Sequence, residues 1–190
     1  MHKKNPISML FLKARHRKTA GLLDGVVPKS VLDVGCDDGR FLRMLAEAYP
    51  KATLYGCDSD PEAAREARDA CPSAAIVQGD FMKLDFKPVD VVVMLEVLEH
   101  ASEPVPMLKK AAALVGKKGR VLVSIPRPEL LRWRLVWSLW SNTFGRRWHG
   151  QHRHLTEAEL TEAAARCGLK VEKRQRFFLG CISMTLFRQM

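Results

Sequence analysis

Glycines and carboxylates are interleaved in the run Val31-Leu32-Asp33-Val34-Gly35-Cys36-Asp37-Asp38-Gly39, and their order says what a pocket there could hold. Gly35 and Gly39 suit a strand-to-helix turn, because glycine takes positive φ freely and lets a ligand approach the main chain closely. A dinucleotide site would need Gly-x-Gly-x-x-Gly and a P-loop would end in Gly-Lys-Ser or Gly-Lys-Thr, and the run has neither. Asp33, Asp37 and Asp38 put negative charge beside the pocket, which repels pyrophosphate and suits a ligand carrying sulfonium and ammonium groups. About twenty residues beyond Gly39, Asp58 ends a second apolar run, where a carboxylate can take both hydroxyls of a ribose.

Such residues need a frame, and the rest of the chain supplies one. A strand over Thr53 to Cys57 leads to Asp58, and Asp60-Pro61-Glu62 reads as N-cap, first-turn proline and first-turn acid of a helix through Ala70. A third strand, Ala75 to Gln78, runs into Gly79-Asp80-Phe81. A fourth, Val89 to Leu95, ends at Glu96, and Glu99 and His100 organise the start of the following loop. The helix Pro104 to Val115 stops at Gly116 before the strand Val121 to Ile125. Thr156 and Glu159 form a capping box for a helix to Arg166. The strands Lys170 to Phe177 and Ile182 to Phe187 make an antiparallel edge hairpin, and a further helix covers Ser8 to Leu23 near the N-terminus. The pattern predicts an α/β fold: a Rossmann-like doubly wound sheet of about seven strands, mostly parallel with an antiparallel C-terminal edge hairpin, helices on both faces.

On the residues from Asp33 to Gly39, on Asp58, Gly79-Asp80-Phe81 and Leu95-Glu96, and on the order of the segments bearing them, the chain resembles class I S-adenosylmethionine-dependent methyltransferases. The resemblance is to the small-molecule branch that includes ubiquinone-biosynthesis O-methyltransferases, and it spans roughly Ser30 to Met190. It implies that Asp33, Gly35, Cys36, Asp37 and Gly39 form the loop around the methionine moiety and that Asp58 and Ser59 meet the ribose. It also implies Asp80 on the adenine amino group with Phe81 against the ring, and Leu95 and Glu96 near the methionine end. The family usually has glycine in the middle of the loop, where this chain has Asp37, whose side chain would either crowd the methionine end or hydrogen-bond to it.

With 190 residues, 47% of them hydrophobic, the chain suits one domain with one well-buried core. Its cysteines, Cys36, Cys57, Cys71, Cys167 and Cys181, are odd in number and lack paired metal spacing, which reads as reduced thiols in a cytoplasmic protein. No stretch has the length of a signal-peptide core or a membrane span. The net charge of +10 is concentrated: residues 1–20 carry +6 and residues 127–153 carry +5, leaving −1 elsewhere. The first segment belongs to a basic helical cap over residues 1–29, and the second to an insertion over residues 127–154 holding Trp133, Trp137, Trp140 and Trp148.

That insertion is where acceptor recognition is expected. From Glu129 to Ser141 it can wind as a helix that is apolar over most of its circumference, which fits a lid on its own domain or a peripheral contact with anionic membrane. Nucleic acid is a third partner that basic residues with aromatics allow. His149, His152 and His154 sit among cations without a nearby carboxylate or thiolate, which argues against a metal; His152 and His154 are the candidates for removing a proton from an acceptor hydroxyl. The expected chemistry is in-line methyl transfer from S-adenosylmethionine to a small, apolar or lipid-like acceptor. The alternatives are an RNA or protein methyltransferase guided by the basic segments, and a non-catalytic S-adenosylmethionine-binding module.

Overall fold

The computed structural model describes residues 6–101, 103–127, 129–130 and 155–190. The chain first forms helix α1 (Pro6–Ala20), extended by a 3-10 turn Gly21–Leu23, and then alternates strand and helix. The order is β1 (Ser30–Val34), α2 (Arg40–Ala48), β2 (Thr53–Asp58), α3 (Pro61–Ala70), β3 (Ala74–Gln78), β4 (Val91–Leu95), α4 (Pro104–Val115), β5 (Arg120–Pro126), α5 (Glu157–Arg166), β6 (Leu169–Phe177) and β7 (Ile182–Gln189). The strands form one sheet in the order β3-β2-β1-β4-β5-β7-β6, parallel through β5, with β7 antiparallel to both β5 and β6.

Local chemistry accounts for the boundaries. The Asp60 side chain accepts from the Glu62 and Ala63 amides with Pro61 behind it, and Thr156 and Glu159 make the reciprocal capping box of α5. β4 starts two residues later than its apolar run suggests, because Val89 N–H donates to the Leu114 carbonyl instead of joining the ladder. The strands β1, β4 and β5 are buried on both faces, as central parallel strands must be when helices cover both sides.

Period-2 alternation divides the core. Leu32, Val34, Val92, Met94, Val121 and Val123 face α4 and α5, whereas Val31, Val91, Val93 and Leu122 pack with Phe41, Leu42 and Leu45 of α2, and Leu22 and Leu23 after α1. Helix α1 is tied to the second layer: the Phe11 ring packs tilted against Phe177 at 5.1 Å, and Thr19 Oγ1 donates to its own helix at Arg15 O and lies 3.0 Å from Met184 Sδ. Lys173 of β6 donates to the carbonyls of Leu22 and Asp24, closing the end of this N-terminal unit. All five cysteines are free thiols.

Candidate active site

Register brings the C-terminal ends of the first four strands level: Val34 pairs with Cys57 and Met94, Asp58 with Gln78, and Leu95 with Ser124. The sheet order reverses between β1 and β4, the switch point where ligands bind in open α/β sheets. Residues at or just past these ends therefore share a rim: the loop from Gly35 to Gly39, Asp58, Asp80 and Glu96.

The loop is shaped by two glycines with positive φ. Gly35 (φ 69°) lies so close to the chain after β4 that a Cβ would stand 2.7 Å from Val97 Cγ2. Gly39 (φ 71°) caps α2 where a Cβ would meet the Ala67 main chain of α3 at 2.7 Å. The Gly35 and Cys36 amides both donate to the Cys57 carbonyl, pinning the loop to β2. Asp37 takes φ 46°, so the place where the family has glycine is a left-handed position, which aspartate tolerates better than most residues. Its amide donates to Asp58 Oδ2 at 2.9 Å and its side chain is exposed. Asp58 Oδ1 accepts from the Asp60 amide at 3.0 Å, so two main-chain donors fix the carboxylate, while Ser59 beside it is exposed.

Asp33 sits beneath this loop, 2% exposed, and burial pushes its carboxyl up to about 8, with Asp58 and then Asp37 adding to the shift and Arg15 opposing it. Glu99, in a 3-10 turn after β4 and also 2% exposed, is raised to about 8 by burial and then by Glu96. Its Oε2 is buried with no hydrogen-bond partner. Glu96 (φ 56°) is held by its amide donating to the Ser124 carbonyl and hydroxyl, both at 3.1 Å. The cation facing these acids is Arg15 of α1, whose Nη1 lies 2.7 Å from Glu96 Oε1 and whose Nε is buried with no hydrogen-bond partner. Among the described residues, Arg15 is the guanidinium whose charge is felt by Asp33, Glu96 and Glu99 together.

Three sequence expectations change here. The Phe81 ring lies in the core, 4% exposed, against Phe86 and 5.0 Å beneath the Lys110 ammonium; packing claims it, and Met82, 41% exposed, is the apolar side chain that this turn offers to a ligand. The Cys36 thiol is likewise buried against the Gly56 position, and burial raises its pKa. Asp38 is turned onto Arg40, 3.3 Å from its Nε, so the negative charge of the pocket rests on the other acids. Asp80 is exposed; its Oδ1 accepts from the Met82 amide and its carbonyl from Lys83 and Leu84. Leu95 is half-buried beside Glu96. His152 and His154, together with Trp133, Trp137 and Trp140, lie outside the described residues.

Two residues went unnoticed in the sequence. Arg15 lies on the inward stripe Phe11, Arg15, Thr19, Leu22, and an arginine on a core-facing stripe is the signal that could have found it. Lys110 of α4 donates to the carbonyls of Phe81 (2.7 Å), Met82 (3.2 Å) and Leu84 (2.5 Å), using all three ammonium donors on the loop that bears Asp80. Nothing local marks it.

Known proteins resemble this chain in sequence and fold. The family model described as a methyltransferase domain matches residues 10–174. The ubiquinone biosynthesis O-methyltransferase of Vibrio campbellii (strain ATCC BAA-1116) is 32% identical over 133 residues, which is 65% of this chain and 52% of that protein. The trans-aconitate 2-methyltransferase of Methylobacterium nodulans is 31% identical over 120 residues, 61% of this chain and 46% of that protein. The chain spans about half the length of these curated relatives. Among solved structures, the magnesium protoporphyrin IX methyltransferase from Synechocystis PCC 6803 with bound SAH has a TM-score of 0.74 at 20% identity, covering 100% of this chain and 90% of that one. An O-methyltransferase from neocarzinostatin biosynthesis, in complex with S-adenosylmethionine, has a TM-score of 0.64 at 25% identity, over 85% of this chain and 49% of that one.

Proposed function

Because the chain belongs to the methyltransferase-domain family, we propose that it transfers the methyl group of S-adenosylmethionine to a small-molecule acceptor. The observation that carries this reading is the set of acids at the ends of β1, β2 and β4, gathered near Arg15. Glu96 offers negative charge to the ammonium and sulfonium of the cofactor, and Asp33 and Glu99, whose carboxyls burial raises to about 8, ionise in response to that positive charge. Arg15 offers a guanidinium to the cofactor's carboxylate, and Asp58, oriented by two amides, offers a carboxylate to the ribose hydroxyls. Asp80 and Met82 supply a polar and an apolar contact for the adenine.

The bound cofactor supplies a methyl group already activated by positive sulfur. What remains for the protein is to exclude water and to aim the acceptor, so a dedicated base is not required of every acceptor. The relatives are named for trans-aconitate and ubiquinone, which supports a small acceptor, and the Trp-rich sequence from Glu129 to Ser141 favours an apolar or lipid-like one. His152 and His154 stand as the candidates for deprotonating a hydroxyl.

Transfer of a labelled methyl group from S-adenosylmethionine into a cell extract, fractionated into lipid, small-molecule, RNA and protein pools, tests the assignment. Label in the lipid or small-molecule pool is expected, and label confined to RNA or protein overturns it. Calorimetry with the cofactor and its demethylated product provides the prior check, since binding of neither would remove the basis for the activity.

A further inference from the structure

The turn between β6 and β7 carries bulky apolar residues where the backbone calls for glycine or asparagine. Phe178 (φ 50°), Leu179 (φ 55°) and Gly180 (φ 81°) form one left-handed turn, closed by the Cys181 amide donating to the Phe178 carbonyl at 2.9 Å. Left-handed backbone is costly for any residue with a Cβ, and large side chains have no local hydrogen bond to offset it. Packing does not repay the strain at Leu179, which is 73% exposed, and covers Phe178, 39% exposed, only in part. Strain of this kind at an exposed position points to a use outside the fold.

The surroundings define the use. Ile182 pairs with Pro126 at the C-terminal end of β5, so the tip stands at the same end of the sheet as the acidic rim. The Phe178 ring meets Phe11 of α1 edge-on at 4.9 Å, which joins the tip to the N-terminal helix. On α1 the outward residues Leu10, Lys13, Ala14, Arg17 and Lys18 are all exposed, Leu10 by 70%, and α1 contains no acid. Arg176 near the tip is paired with Glu157, whereas Lys13, Arg17 and Lys18 of α1 are exposed on a helix that has no acid of its own. Exposed apolar residues at a turn, beside a basic acid-free helix, match the interface of a bilayer with anionic headgroups: the apolar tips enter the acyl boundary and the cations meet phosphate.

We propose that the β6–β7 tip (Phe178, Leu179) and the outward face of α1 (Leu10, Lys13, Arg17) together dock the protein on an anionic lipid surface, with the acidic rim close to that surface. The docking stands apart from the methyl-transfer reading, and either can fail without the other.

Sedimentation with vesicles of phosphatidylglycerol and phosphatidylcholine, and with vesicles of phosphatidylcholine alone, tests it on the full chain. The wild type is expected to bind the anionic vesicles and to bind the neutral ones at least about tenfold more weakly, and each of Lys13→Gln and Arg17→Gln should cost about fivefold. The decisive variant is Phe178→Gly with Leu179→Gly. Relief of the left-handed strain offsets the lost Phe178–Phe11 contact, so its midpoint of thermal unfolding should stay within a few degrees of that of the wild type, about 5 °C at most, while vesicle binding falls at least about tenfold. Wild-type protein that ignores anionic vesicles, that binds neutral and anionic vesicles alike, or that binds RNA in their place overturns the proposal, as does a folded glycine variant that still binds like the wild type.

Discussion

Asp33 is a strand residue buried beneath the loop with Asp58, Asp37 and Arg15 as its charged neighbours, and its fate sets the pH response of the rim. Burial, with Asp58 and then Asp37 behind it, lifts the carboxyl to about 8, whereas an unfolded aspartate titrates near about 3.9. Between those two values the folded chain holds a proton that the unfolded chain has already lost, so stability falls as pH rises across the window and the loss is complete above about pH 8. Glu99, raised to about 8, contributes with the same sign. The midpoint of urea unfolding should therefore drop between about pH 5 and about pH 9, and Asp33→Asn should flatten that drop by removing one of its two main sources. An unchanged slope in the variant would remove Asp33 from the account. A cationic ligand favours the ionised forms, so affinity for S-adenosylmethionine should climb with pH over the same window, and more steeply than affinity for the uncharged-sulfur product.

Elements position these residues, and the sequence reveals the elements better than it reveals the contacts between them. The helix Pro104–Val115 and the caps at Asp60 and Thr156 were legible because capping and periodicity are local. The positions of the loop glycines and of Asp58 were legible because each lies where an apolar run stops, although a glycine turn of this kind occurs in many α/β proteins. Phe81 was misread, since a ring facing a ligand and a ring facing the core look alike in one dimension. Arg15 and Lys110 act on partners 81 and 26–29 residues away, where only the assembled sheet brings them together. Lys110 carries the clearest element-scale consequence, because it ties α4 to the loop holding Asp80. Lys110→Met leaves three carbonyls without their charged donor, a loss on the order of 2 kcal/mol, or about 4–8 °C in unfolding midpoint. Hydrogen exchange at residues 80–84 should accelerate, and cofactor affinity should fall several-fold while the rate at saturating cofactor stays close to that of the wild type. Lys110→Arg, which can still donate to the same carbonyls, should recover most of both. A Lys110→Met protein that is less stable but binds the cofactor as before would reduce the lysine to a structural brace.

At the scale of the whole molecule two electrostatic signs compete. The chain carries +10, which draws phosphates to its surface, whereas the ends of β1, β2 and β4 gather four carboxyls, Asp33, Asp58, Glu96 and Glu99, near Arg15, and an acid-rich site should disfavour phosphates. The sheet order makes the second sign local, because the reversal between β1 and β4 opens the crevice where those acids meet. Thermal unfolding in the presence of different nucleosides separates the two effects. S-adenosylmethionine at about 100 times its dissociation constant should stabilise the fold by about 2.7 kcal/mol, which for a chain of this size is about 5–10 °C. ATP and NAD share the adenosine but replace the cationic end with phosphates, and each should move the midpoint by less than about 1 °C once salt screens the surface charge. If either nucleotide matches S-adenosylmethionine under screened conditions, the acids do not govern the pocket. The global charge would then be the better guide to its ligand, and the glycine loop would have to be read as a phosphate site.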